Sequence, residues 1–272
     1  MKIMRKLQTV LFMAALLLSG GAMYAHSGDV IDYEVSVEPT SQKYDVKDFN
    51  SIQASGSLKI TFEQSQTYSV EARSSKDMLD VLKVENQAGV LRLGLTKSLR
   101  RLTSDIEVVV KGPSLDYLKL SGACEFMGNS VAMNTDATID LSGACSVYFV
   151  NFKCKELNAD LSGASNLDGT FVINGEAKLS NSGAGSLKGE INATDMVRLS
   201  NSGASSLKMD VKAPRIIVRN SGTSGTTLAV DCDHLEVENT GISHMTLSGR
   251  ADKVDTKNSG MSKITYVNFN KN

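Results

Sequence analysis

Leu120-Ser-Gly-Ala-Cys124, Leu141-Ser-Gly-Ala-Cys145, Leu161-Ser-Gly-Ala-Ser165, Asn181-Ser-Gly-Ala-Gly185 and Asn201-Ser-Gly-Ala-Ser205 are versions of one word. The word fades toward the C-terminus, but its glycine persists. Gly122, Gly143, Gly163, Gly183, Gly203, Gly222, Gly241 and Gly260 each follow Ser or Thr, at spacings of 21, 20, 20, 20, 19, 19 and 19. A fixed period of this length marks a repeat architecture.

The columns identify the unit. Four residues before each glycine stand Leu118, Ile139, Ala159, Leu179, Leu199, Val218, Val237 and Thr256. The position between, three before, reads Lys119, Asp140, Asp160, Ser180, Ser200, Arg219, Glu238 and Lys257. Period-two alternation is the signature of a strand with one buried face. Four residues after each glycine a second apolar column begins with Phe126, Val147, Leu167, Leu187 and Leu207. Each unit therefore reads as strand, glycine turn, second strand, with a short third strand expected to close the coil. A unit of about 20 residues has no room for a strand and a full helix. The expected fold is an all-β parallel β-helix, a β-solenoid with 19–21 residues per coil.

The recurring glycine has a physical reason, because a sharp bend at positive φ excludes residues with a Cβ. Asn181, Asn201, Asn220, Asn239 and Asn258 lie two residues before their glycines. Stacked coils about 4.8 Å apart would bring these amides into a ladder. Phe49 to Phe62 reads as one more coil with its own turn at Ser55-Gly56. Tyr68–Ala72, Val90–Leu95 and Ser104–Lys111 read as strands, and Lys76–Leu82 as a short helix. Residues 45–113 are thus an irregular start to the solenoid acting as its cap, and 114–272 its regular part. Terminal repeats must be atypical, since an open strand edge invites aggregation.

The first 25 residues read as a secretion signal. Lys2, Arg5 and Lys6 precede the apolar run Val10–Leu18, and small residues follow at Ser19, Gly20, Gly21, Ala22, Ala25 and Ser27. The run is too short to span a membrane, and no later stretch is long and apolar enough to do so. No Cys stands near the cleavage region, so no lipid anchor is expected, and residues 26–44 read as a loose leader. Removal of the signal leaves about 245 residues with 26 basic and 30 acidic side chains. That mildly acidic balance excludes nucleic acid as the expected partner.

Taken together, Phe49-x-x-Ile52-x-x-Ser55-Gly56, Tyr68-Ser-Val-Glu-Ala72, Lys76-Asp-Met-Leu-Asp80, Gly89-Val-Leu-Arg-Leu93 and Pro113-Ser-Leu-x-x-Leu-x-Leu-Ser-Gly-Ala123 resemble the head GIN domain family of autotransporter adhesins. The resemblance runs over about residues 45 to 265. It implies a right-handed β-helix in an envelope protein of Bacteroidetes-like bacteria. Its motifs are structural turns, so they speak for fold more than for activity. The sequence stops at Asn272, shortly after Lys263-Ile-Thr-Tyr266, and no translocator barrel is expected.

Candidate sites are few. Asp140 and Asp160 share an outward column on adjacent coils, at the roughly 5 Å spacing of a retaining glycosidase pair. A solvated surface column, with Lys119 beside Asp140, is the favoured reading. His234 and His244 are too few for a metal, which needs three or four ligands. Cys124 and Cys145 occupy equivalent positions on adjacent coils, within disulfide reach or simply stacked as small apolar thiols. Cys154 and Cys232 are about four coils apart and cannot pair with each other. Lys97, Arg100 and Arg101 form a basic loop tip, read as solvated rather than anion-binding. Asn192-Ala-Thr194 matches a glycosylation acceptor that is expected to be idle.

No catalytic, cofactor or metal residue is expected. The coil lengths leave no long loop to build an enzyme's cleft. The functional expectation is an exported binding or adhesion module, in the periplasm or on the surface of a Gram-negative-type bacterium, with a protein or glycan ligand. The alternatives are a periplasmic structural or assembly protein and, by fold analogy alone, a polysaccharide-active enzyme. The last coil, Ile264 to Phe269, is apolar enough to want a cap or a second copy.

Overall fold

A computed structural model describes residues 39–96 and 104–271. The first 25 residues, expected to be a secretion signal, His26 and the basic tip Lys97, Arg100 and Arg101 lie outside the described residues. So does most of the 26–44 leader, but its end does not: Thr40–Tyr44 forms a strand, β1.

The chain then runs through β2 (Ser51–Gly56), β3 (Lys59–Gln64), β4 (Ser69–Ser74), α1 (Lys76–Leu79), β5 (Leu82–Gln87), β6 (Val90–Leu95) and β7 (Glu107–Gly112). Two-strand coils follow: β8 (Tyr117–Gly122) with β9 (Glu125–Ala132), β10 (Ala137–Leu141) with β11 (Ser146–Cys154), and β12 (Leu157–Leu161) with β13 (Asn166–Ile173). Next come β14 (Ala177–Asn181) with β15 (Ser186–Ala193), β16 (Met196–Asn201) with β17 (Ser206–Lys212), and β18 (Arg215–Asn220). The final strands are β19 (Gly225–Asn239), β20 (His244–Asn258) and β21 (Lys263–Lys271).

Every pairing from β8 onward is parallel and joins one coil to the next. The fold is a β-solenoid of about 8 turns. Leu118, Ile139, Ala159, Leu179, Leu199, Val218 and Val237 stack in one buried column, as the alternation requires.

The expected third strand is not separate. In β11, Phe149 and Phe152 both point inward while Val150 and Asn151 between them face out. Two successive outward residues turn the strand around a corner without ending it, as a bulge does. By β19 and β20 the two arms of neighbouring coils are continuous 15-residue strands.

Glycines also shape the interior. Phe149 is register-paired with Gly128 on one side and Gly169 on the other. A Cβ at Gly128 would come within 2.4 Å of the Phe149 ring. That room lets Phe149 gather Phe126, Phe152 and Phe171 at ring distances of 5.7, 4.6 and 6.3 Å.

The turn glycines answer two demands. Seven of the eight take positive φ, between 68° and 85°. Gly183 does not, yet a Cβ there would stand 1.9 Å from the Gly163 carbonyl oxygen. Close approach of the preceding coil is therefore the demand common to the whole column.

The N-terminal region departs from chain order. β8 stacks on β2 and β9 on β3, so Gly56 begins the turn column below Gly122. β6 and β7, later in sequence, pair in parallel with the opposite edges of β2 and β3 and form the coil beneath them. β5 then covers β6, β4 covers β7 and β1 covers β4, all antiparallel. Met78 and Leu79 of α1 are buried against this end. The helix ends at Leu79 rather than Leu82, because Leu82 begins β5.

Candidate binding face

The second strands carry an outward column that can be followed by register. It runs Val109, Thr61, Met127, Tyr148, Asp168, Lys188, Lys208, Thr227, Thr246 and Thr265. Its first four members contain three of the large apolar side chains left exposed: Val109 at 36%, Met127 at 43% and Tyr148 at 44%. Val150, two residues beyond Tyr148 on the same face, is 49% exposed. Single exposed hydrophobes are ordinary, but a contiguous row on adjacent strands marks an interaction surface.

Charges frame the row. Lys111 pairs with Glu63 at 2.7 Å and Lys59 with Asp105 at 2.5 Å. Beyond Tyr148 the column turns polar at Asp168, and Asn166 accepts a 2.7 Å hydrogen bond from the Ser186 hydroxyl. The face thus offers an apolar platform with carboxylate, amide and hydroxyl groups at one border.

Asp140 and Asp160 stand side by side in register on the other sheet. Each is already engaged. The Tyr117 hydroxyl donates to Asp140 at 2.6 Å, and the Asn158 amide donates to Asp160 at 3.1 Å. Burial, with that bond to Asp140, pushes the Tyr117 phenol up to about 12.

His234 and His244 fall in different columns: His234 pairs with Lys253 and His244 with Gly225 and Lys263. The His234 ring meets Asp255 at 2.7 Å, so its partner is a carboxylate. Among the described residues no group of three or more His, Cys, Asp or Glu could hold a metal ion. Asn192 lies exposed on β15.

All four cysteines are buried free thiols. Cys124 and Cys145 each donate to a serine carbonyl three residues earlier, at 3.4 and 3.2 Å, and the neighbouring Cys145 thiol together with burial holds the Cys124 thiol far above its ordinary range. Burial raises Cys154 to about 12 and Cys232 to about 11.

The asparagine column is buried from Asn181 to Asn239 and reaches the surface at Asn258. Asn201 donates to Asn220 at 3.2 Å, Asn220 to Asn239 at 2.9 Å and Asn239 to Asn258 at 3.0 Å. Each oxygen also accepts from a serine four residues on: Ser205, Ser224, Ser243 and Ser262 at 2.5–2.7 Å. Asn181 is 2% exposed yet neither amide atom has a partner. Its coil carries Gly185 where the others carry serine.

The apolar row was not among the expected sites. Its signal is the position five after each turn glycine, which should be outward and polar. It reads Met127 and Tyr148 in the first two coils, then Asp168, Lys188 and Lys208. Val109 escapes that reading because β7 joins the stack out of chain order.

The family model described as "putative auto-transporter adhesin, head GIN domain" matches residues 48–193 and 165–271. Nothing among curated proteins matches the chain. Solved structures do. A "putative adhesin" from Parabacteroides merdae superposes with a TM-score of 0.65 at 19% identity, over 84% of this chain and 96% of that one. A "putative lipid binding protein" from Parabacteroides distasonis gives 0.68 at 17% identity, over 84% and 96%. A "putative adhesin" from the same species gives 0.68 at 16%, over 85% and 98%. At these identities the likeness concerns the fold. No helix among the described residues is long and apolar enough to cross a membrane.

Proposed function

This chain belongs to the head GIN domain family of auto-transporter-type adhesins, and from that membership we propose that it is an exported, non-catalytic binding module of the cell envelope. The observation that carries the reading is the exposed set Val109, Met127 and Tyr148 in one outward column, with Val150 at its corner. A rigid solenoid holds such a face without further ordering, so a ligand meets a preformed surface. The ligand is a surface protein or glycan, with its apolar side over Met127 and Tyr148 and its polar groups toward Asn166 and Asp168. The signal-like pattern of the first 25 residues supports export to the periplasm or cell surface. Reaction chemistry has little footing, since Asp140 and Asp160 sit on an open sheet and are already hydrogen-bonded.

Covering the exposed half of Met127 and Tyr148 stabilises a complex by about 1 kcal/mol each. On that scale Met127→Ser with Tyr148→Ser weakens binding by about thirtyfold. The test is an array of glycans and extracellular-matrix proteins probed with wild type and the double variant. Selective binding that the variant loses supports the reading. Binding that the variant retains, or none to any arrayed ligand, removes it. A second reading, a periplasmic assembly protein, draws on the bare final coil.

A further inference from the structure

The two ends of the solenoid are finished differently. At the N-terminal end the terminal coil is covered by β1, β4, β5 and α1, and its inward residues Leu91, Leu93, Val108 and Val110 are all buried. At the C-terminal end no described residue covers the equivalent inward positions. Leu247 is fully buried, but Tyr266, its register partner in the last coil, is 48% exposed. Leu235 is fully buried, but Val254 above it is only half-buried. Beside them, Met261 stacks over Ile242 at the turn corner and is 72% exposed.

The backbone there is bare as well. Among the described residues β21 is laddered only to β20, and the Lys253–Asn258 half of β20 only to β19. Uncovered inward apolar groups beside two unpaired edges are the arrangement that draws in another strand. We infer that this open coil is a self-association surface that joins two copies of the chain tail to tail.

Three features favour a second copy over another occupant. Among the described residues the N-terminal end presents β1 and β5 over buried inward residues rather than a bare apolar coil, so the open coil matches only another copy of itself, around a two-fold axis. The edge reads Asp252-Lys-Val-Asp-Thr-Lys257, with equal numbers of acids and bases. Antiparallel pairing centred on Val254 sets Lys253 of each copy opposite Asp255 of the other. Those side chains already meet at 2.9 Å within one chain, so the pairing only redistributes existing attractions. The apolar groups of the end are also the same on both sides, so each copy covers what the other exposes. From β11 to β21 the stack rises six strand steps, about 29 Å at ~4.8 Å each. Such a dimer would carry its two Tyr148 rows on opposite ends, suited to bivalent attachment.

Sedimentation velocity on the full chain between about 1 and 100 µM tests this, with thermal melts as the folding control. Wild type should form a dimer. Val254→Lys, an inward charge on the edge, should weaken it at least tenfold while keeping a single cooperative melt, lowered by no more than the lost association accounts for. Should that variant fold poorly, Val254→Cys takes its place. Across the two-fold axis the new thiols should form an intermolecular disulfide under copper–phenanthroline oxidation. A wild-type monomer at 100 µM, open polymers, or a dimer that neither substitution alters or crosslinks would overturn the inference.

Discussion

Two asparagines of one column, Asn181 and Asn220, two coils apart, should respond with opposite sign to the same substitution. Asn220 donates to Asn239 and accepts from Asn201, Ser224 and Thr226, with all five residues at most 3% exposed. Replacing it with leucine removes four buried hydrogen bonds, each contributing about 1 kcal/mol net. Ser224 keeps its bond to the Ser221 carbonyl and Asn239 keeps its bond from Ser243, so those atoms are not orphaned. The leucine returns about 1–2 kcal/mol of apolar burial. The expected loss for Asn220→Leu is therefore about 2–3 kcal/mol. Asn181 is the reverse case. Its amide is buried with no partner, at a cost of about 1–3 kcal/mol, and Leu161 lies directly beneath it in register. Asn181→Leu extends the column Leu120, Leu141 and Leu161 by one coil. Allowing for the larger side chain, the expected gain is about 1 kcal/mol. Urea unfolding followed by far-UV circular dichroism reads both as midpoint shifts. If the two variants shift in the same direction, the ladder does not stabilise the upper coils as argued.

Other expectations follow from single sites. Gly143→Ala should lose about 2–4 kcal/mol in the same assay, since φ is +80° and the Cβ would meet the Gly122 oxygen at 2.4 Å; a neutral result would mean the stack yields. Cys124 and Cys145 should stay unbridged after air exposure, because parallel stacking holds their Cβ atoms near the ~4.8 Å strand step, beyond the usual disulfide range. A thiol titration in guanidinium should count four, and a count of two would show the bridge. The Tyr117 phenol titrates near 12 in the folded chain against about 10 unfolded. A raised folded value means stability is full below pH 10 and falls as pH rises toward 12. Tyr117→Phe should flatten that alkaline fall, and an unchanged profile would place its cause elsewhere.

Much of the fold is written in the turn word. Eight glycines at near-constant spacing, with apolar residues four before and four after, require stacked strands and leave no room for helices. The asparagines were legible as a ladder but not as an interior one. Asn181 and Asn201 occupy the inward parity that Leu120, Leu141 and Leu161 hold earlier, and that substitution is visible only when the columns are aligned through it. What could not be read was the spatial order at the N-terminal end. Local periodicity marks β6 and β7 as strands, but nothing in it says that they slide beneath β2 and β3. That pairing is long-range, decided by which edge stays open when β8 and β9 take the other. The binding face depends on it, because Val109 reaches Thr61 and Met127 only through this insertion.

Contact between the Tyr148 face and the ligand can be observed on living cells. A photo-crosslinking residue placed at Tyr148 in whole cells tests it most directly, with Ser200 on the other sheet as the control position. Discrete high-mass adducts are expected on illumination from position 148 and none from 200. Equal labelling at both positions, or no adduct at 148 from cells that display the protein, would contradict it.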